Sequence, residues 1–337
     1  MRKTQMALAA VALVASSAAL AEVKVSGSLD LGVGSFNSAA APGTNKVGVQ
    51  EGATNGGSIV TISGSEDLGG GLKAGFTLQH GIDAATGFTG NGGNGGQSVF
   101  NRQSNISLSG GFGGITIGNQ LNTYIAGATG TSLPGTMFGA FDVSAILATG
   151  EFTGGGGSGG FFTRNAIAYS TPDLGGMNFT VQKQLQGNDP ASFDATSASG
   201  SVSLGDVKAS FGYIDRAQTR KSWTLGASAP LGPLTASLRY TDSDPAGPTG
   251  SATQIRGGVS YALTSETTLT LQHATNSGSI KGDLTSVGAM YSLSKATSVY
   301  AHYSGASAGF TGSSYGAAAA SATKGGSTVA VGVVTNF

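Results

Sequence analysis

The chain has 337 residues, and only 10% are charged, with 17 basic and 17 acidic side chains. An ordinary soluble domain carries about a quarter of charged residues, so this composition poorly serves a water-facing surface all round. The balanced charge lacks the basic surplus of a nucleic-acid binder, and the absence of cysteine removes disulfides and thiol-ligated metal or redox centres.

In chain order, the first element is an export signal. Arg2 and Lys3 form a positive start, Met6 to Leu20 is apolar or small, and Ala19-Leu20-Ala21 fits a cleavage site. Residues 1–21 are therefore expected to be a signal peptide, with a mature chain of 22–337. Beyond it no stretch approaches the ~20 apolar residues of a membrane helix. Instead, residues alternate. Val23, Val25, Leu29, Leu31 and Val33 share one face, and Lys24, Ser26, Ser28 and Asp30 the other. The same period of two appears in Leu72–Gln79, Met177–Gln182, Val207–Tyr213, Leu234–Tyr240 and Ile255–Tyr261.

About sixteen such segments are legible, near 22–36, 57–66, 69–82, 99–109, 113–121, 164–172, 177–187, 196–204, 206–216, 220–230, 233–243, 252–262, 265–275, 283–293, 296–304 and 326–337. Short turns such as Pro172-Asp173-Leu174-Gly175 and Gly205-Asp206 alternate with longer loops near 37–56, 83–98, 122–163, 188–195 and 305–325. An even strand number with short turns at one end and long loops at the other is the pattern of an outer-membrane barrel. Closure would leave no sheet edge facing lipid.

The last segment places Val329, Val331, Val333, Thr335 and Phe337 on alternate positions. A final strand ending on Phe resembles that of bacterial outer-membrane barrels. Trp223, Tyr240, Tyr261 and Tyr291 fall on the apolar parity, where interfacial aromatic belts are expected. Local parity alone also fits a soluble sandwich.

Three motifs carry a closer resemblance. They are Gly64-Ser65-Glu66-Asp67-Leu68-Gly69-Gly70-Gly71-Leu72-Lys73-Ala74, Phe100-Asn101-Arg102-Gln103 running into Leu108–Gly113, and Asn165-Ala166-Ile167-Ala168-Tyr169-Ser170-Thr171-Pro172. Together they resemble the general outer-membrane porins of β-proteobacteria over the whole chain. The resemblance implies an all-β transmembrane antiparallel barrel of about 16 strands, with the third long loop, here 122–163, folded into the lumen. It also implies a homotrimer in contact with outer-membrane lipid and lipopolysaccharide, passing small polar solutes and ions by passive diffusion.

In that family, acids on the lumen loop face basic residues on the wall and screen solutes by charge. The acids of this loop are Asp142 and Glu151. The resemblance carries the basic role to Arg102 and Arg164. Arg164 shares parity with Ala166 and Ala168, whereas Arg102 shares that of Ile106 and Leu108, which face outward by pattern; the resemblance keeps it in the lumen. Lys73, Arg239 and Arg256 have lumen parity at unspecified depth, and a solvated rim position is the plain alternative for each. Ile59, Ser63 and Asn119 stand where relatives often carry basic residues, so weak anion preference or near-neutral selectivity is expected.

Other chemistry is sparse. His80, His273 and His302 are scattered without a metal motif. Gly312-Ser313-Ser314-Tyr315-Gly316 matches a nucleophile-elbow pattern but sits in a glycine-rich loop. No enzyme activity, cofactor, metal or nucleic-acid partner is expected. A substrate-specific channel of the same fold and a non-conducting barrel adhesin remain as alternatives.

Overall fold

A computed structural model describes residues 22–38, 41–51, 57–89, 99–133, 161–187, 194–216, 220–245, 250–278, 281–307 and 326–337. The elements in chain order are β1 (Glu22–Ser38), β2 (Ala41–Glu51), β3 (Ser58–Gly69), β4 (Leu72–Asp83), β5 (Phe88–Thr89), β6 (Gln103–Gly110), β7 (Gly113–Leu121), helix α1 (Thr123–Thr129), β8 (Phe162–Ser170), β9 (Met177–Gln184), β10 (Ala195–Leu204), β11 (Val207–Arg216), β12 (Arg220–Leu231), β13 (Leu234–Pro245), β14 (Ala252–Ala262), β15 (Thr267–Gly278), β16 (Gly282–Ser292), β17 (Thr297–Ala306) and β18 (Gly326–Asn336).

All pairings are antiparallel, and sixteen of these strands form one closed circuit among the described residues. β1 pairs with β3 from Glu22↔Ser65 to Ser28↔Ile59. It pairs with β18 from Ser28↔Asn336 to Ser35↔Val329, which closes the cylinder. Phe337 seals the joint, exchanging backbone hydrogen bonds of 2.9 and 3.0 Å with Gly27. Each of the sixteen segments read from the sequence corresponds to one strand of the circuit.

Two further strands lie in stretches read as loops. β2 pairs with the far half of β1, and β5 pairs with the last two residues of β4. β2 contains Pro42, Gly43 and Gly48, which blur any alternation, and β5 is too short to show one.

The burial pattern is inverted relative to a soluble protein. On β15, Leu271 is 48% exposed while its neighbour Gln272 is 1% exposed. On β13 and β14, Leu238 is 60% exposed while Arg239 and Arg256 are 3% and 2% exposed. An isolated sandwich would bury the apolar face, because apolar area in water is costly. Here the apolar face points out around a closed sheet, as hydrocarbon requires.

Aromatic residues gather toward both ends of that outer face. Tyr169, Tyr261 and Tyr291 lie beside short turns, and the Tyr169 hydroxyl donates to the Phe112 carbonyl at 2.7 Å. Near the other end, Trp223 and Tyr240 stack at 5.0 Å between ring centroids. The short turns share the end that carries Glu22 and Phe337. One of them, Glu66–Gly71, places Gly69, Gly70 and Gly71 at φ 83°, 62° and 81°, a left-handed run that side chains resist. The Gly69 amide donates to Asp67 Oδ1 at 2.9 Å, which explains the acidic and glycine positions of that motif.

Candidate channel constriction

The chain leaves β7 and turns into the barrel. Asn122 accepts a hydrogen bond from the Tyr124 amide at 3.0 Å and caps α1. The helix lies on the inner faces of β9 to β12. Gln182 on β9 binds both ends of the turn, donating to the Leu121 carbonyl at 3.0 Å and accepting from the Thr123 amide at 3.3 Å. Thr123 and Ser199 share a hydroxyl pair at 2.7 Å, and Ser210 donates to the Gly127 carbonyl at 2.8 Å. Tyr124, Ile125 and Ala128 pack on Ile214, an apolar residue on an otherwise polar inner row.

Glycine makes this close approach possible. A side chain at Gly127 would overlap the Phe211 backbone, and one at Gly212 would meet the Tyr124 carbonyl. Farther along, Gly226 leaves room for Thr131 and Gly258 for Leu133. The segment 122–133 therefore crosses the inner wall from β9 to β14. Inward glycines at 212, 226 and 258 were the available sequence signal for this track, and parity reasoning passed over them.

Where the track reaches β13 and β14, two arginines meet it. Arg239 and Arg256 are cross-strand partners. Their Nη2 atoms donate to the same Ser132 hydroxyl at 3.3 and 3.1 Å, and Arg239 also reaches Thr131 at 3.4 Å. Two like charges side by side in a confined space raise the local positive potential.

The other sequence-derived residues are spread around the wall. Arg102 precedes the first paired residue of β6, so strand parity does not govern it. Its Nε donates to Gln79 at 2.9 Å, and its guanidinium carbon sits 4.8 Å from the Phe162 ring centroid. Gln79 belongs to the inward row with Thr61, to which it donates at 3.0 Å. Arg164 is half-buried on β8. The register there passes from Gly118↔Ala166 to Gln120↔Thr163, and Asn165 has φ 46°. This is a bulge, so the parity of Ala166 does not transfer to Arg164. Lys73 is exposed, one residue into β4 from its short turn. Asp142 and Glu151 lie outside the described residues, as do residues 1–21.

At the rim, Lys24 pairs with Glu22 at 3.4 Å, Lys221 with Asp215 at 3.4 Å, and Lys183 with Asp194. Such exposed pairs contribute roughly 0–1 kcal/mol each and mainly neutralise one another. Among the described residues, no group of three His, Asp or Glu side chains is placed to hold a metal ion.

Residues 7–308 match the family described as Gram-negative porin. The chain belongs to this family. Outer membrane porin protein 32 of Delftia acidovorans is 32% identical over 256 residues, covering 69% of this chain and 67% of the relative. An anion-selective porin from Comamonas acidovorans matches in structure with TM-score 0.72 at 24% identity, covering 94% of this chain and all of the other. OmpT of Vibrio cholerae, in its trimer form, matches with TM-score 0.67 at 12% identity, covering 94% of this chain and 99% of the other. The porin is thus an outer-membrane channel, and segment 122–133 lies against the inner wall of its barrel.

Proposed function

We propose that this porin passes small hydrophilic solutes and ions with weak anion preference or near-neutral selectivity. The observation that carries the reading is the Arg239–Arg256 pair lying against the lumen loop. Fixed guanidinium charges at a narrow point lower the barrier for anions and raise it for cations. Arg102, Arg164 and Lys73 add to the positive wall, and Asp142 and Glu151 are its opposing acids. The neutral Ile59, Ser63 and Asn119 limit the preference. The description of the Comamonas relative as anion-selective supports this sign.

In the same reading, residues 1–21 are a signal peptide removed before Glu22, where β1 begins. The mature chain works as a homotrimer in contact with lipid and lipopolysaccharide; the trimer form of the Vibrio relative supports the assembly.

Reversal potential across a planar bilayer under a potassium chloride gradient tests the selectivity. Values between neutral and modestly anion-selective are expected, and strong cation selectivity overturns the reading.

A further inference from the structure

We propose that the inner wall beneath helix α1 binds a polyhydroxylated monocarboxylate, a sugar acid. The proposal rests on the diffusion-channel reading and names one class of solute that pauses in transit.

A cavity of about 410 Å³ lies between the helix and the strands β9, β10 and β11. Its size falls within the ~300–1,000 Å³ of small-molecule sites. Ala126, Gly127 and Gly130 form its helical side. The polar groups of its wall are Asn178, Thr180, Ser199, Ser201, Ser203 and Lys208, and Gly200, Val202 and Ala209 complete it. The six polar residues lie on the inward rows of their strands, because Ser201 pairs with Asn178 and Ser203 with Lys208 in the ladder.

These wall groups divide into two sets. Ser199 is engaged with Thr123 at 2.7 Å, and Thr180 with Ser170 at 2.8 Å, so they fix the floor. The side chains of Asn178, Ser201, Ser203 and Lys208 make no hydrogen bond or ion pair among the described residues. Cross-strand neighbours stand ~4.5–5.5 Å apart, a spacing that lets adjacent hydroxyl and amide groups meet successive hydroxyls of one ligand. Lys208 adds one positive charge, and among the described residues no acid lines the cavity.

That inventory selects the ligand. One ammonium among hydroxyls matches one carboxylate on a polyol. A phosphate would call for a second cation or a bidentate arginine, which the wall lacks. A neutral sugar would gain no charge-assisted contact from the ammonium, which is exposed to water, and a cationic solute would meet repulsion. Ser203 and Lys208 flank the short turn Gly205–Asp206, so the cavity opens toward the periplasmic mouth, below the loop. It is thus separate from the arginine pair on β13 and β14.

The test is an NMR titration of the detergent-solubilised mature protein with sodium gluconate and with glucose. Gluconate is expected to saturate one site per chain and to bind about tenfold more tightly than glucose, the factor that one charge-assisted contact supplies. Lys208→Met should erase that difference, while Lys295→Met, in a turn outside the cavity, should leave it intact. Equal binding of the two probes, no saturable binding, or unchanged gluconate affinity in Lys208→Met would overturn the proposal. Ion conduction measured on the same preparation separates the two readings. A conducting channel without gluconate binding refutes only the site, and a binding chain that does not conduct refutes only the diffusion reading.

Discussion

The Tyr300 hydroxyl donates a 2.8 Å hydrogen bond to Asp30 Oδ1 across the seam where the last strand meets the first. Tyr300 belongs to β17 and Asp30 to β1, so the ring must reach over β18. Gly332 on β18 and Gly32 on β1 make that crossing possible, since a side chain at either would collide with the Tyr300 hydroxyl. Tyr300 and Asp30 are nearly inaccessible, and the His302 ring lies 5.3 Å from that of Tyr300. The Asp30 amide donates to Ser58 Oγ at 3.1 Å, which ties β3 into the same cluster.

Loss of this contact should loosen the closure of the barrel. Tyr300→Phe removes one donor from a buried carboxylate, a change that costs about 1–3 kcal/mol. Urea unfolding in lipid vesicles is expected to show a lower midpoint with an unchanged slope. Gly332→Val should be more damaging, because it displaces the ring itself. A midpoint equal to wild type in both variants would show that the seam holds without the tyrosine.

The glycine track under the lumen loop yields a second prediction. Gly127→Val forces the helix away from the Phe211 backbone, but touches no strand pairing. The barrel should therefore form, with strand-rich circular dichroism, while the loop loses its seat. Single-channel conductance should rise and become noisier. Unchanged conductance would mean that the loop finds an equivalent position despite the overlap.

These features differ in how far the sequence reveals them. The sixteen barrel strands were legible because lipid on one side and polar lumen on the other impose a period of two along most of each strand. The same logic does not reach Arg102, which precedes its strand, or Arg164, where a bulge resets the alternation. The depth of Arg239 and Arg256 was hidden for another reason: their adjacency comes from inter-strand register, and their contact with Ser132 bridges more than 100 residues of chain. The Asp30–Tyr300 bond spans 270 residues and left no local trace.

A periplasmic turn supplies a pH dependence of known sign. Glu266 sits fully exposed between β14 and β15, where Ser265 and then Thr264 donate to its carboxylate and hold it below the ordinary value of 4.5. A carboxyl depressed on folding stabilises above its unfolded value and loses that stabilisation as pH falls through the folded one. Unfolding midpoints should therefore be flat from neutral pH to about 5 and decline more steeply in wild type than in Glu266→Gln below that. The difference should be small, since the group is solvent-screened. Parallel profiles for the two proteins would remove the turn from the acid response.

Charge at the loop crossing should be read directly by selectivity. Arg239 and Arg256 share Ser132 and act on the same point, so their contributions are coupled rather than additive. Replacing either with Gln is expected to shift the reversal potential toward cations, and the double replacement to shift it by less than the sum. Arg164→Glu should move it in the same direction if the bulged residue faces the lumen. The shifts should shrink as salt is raised from 0.1 to about 1 M, because the screening length contracts from ~10 to ~3 Å. A reversal potential indifferent to both arginines would place the selectivity elsewhere on the wall, and one indifferent to Arg164→Glu alone would turn that side chain away from the path of the ions.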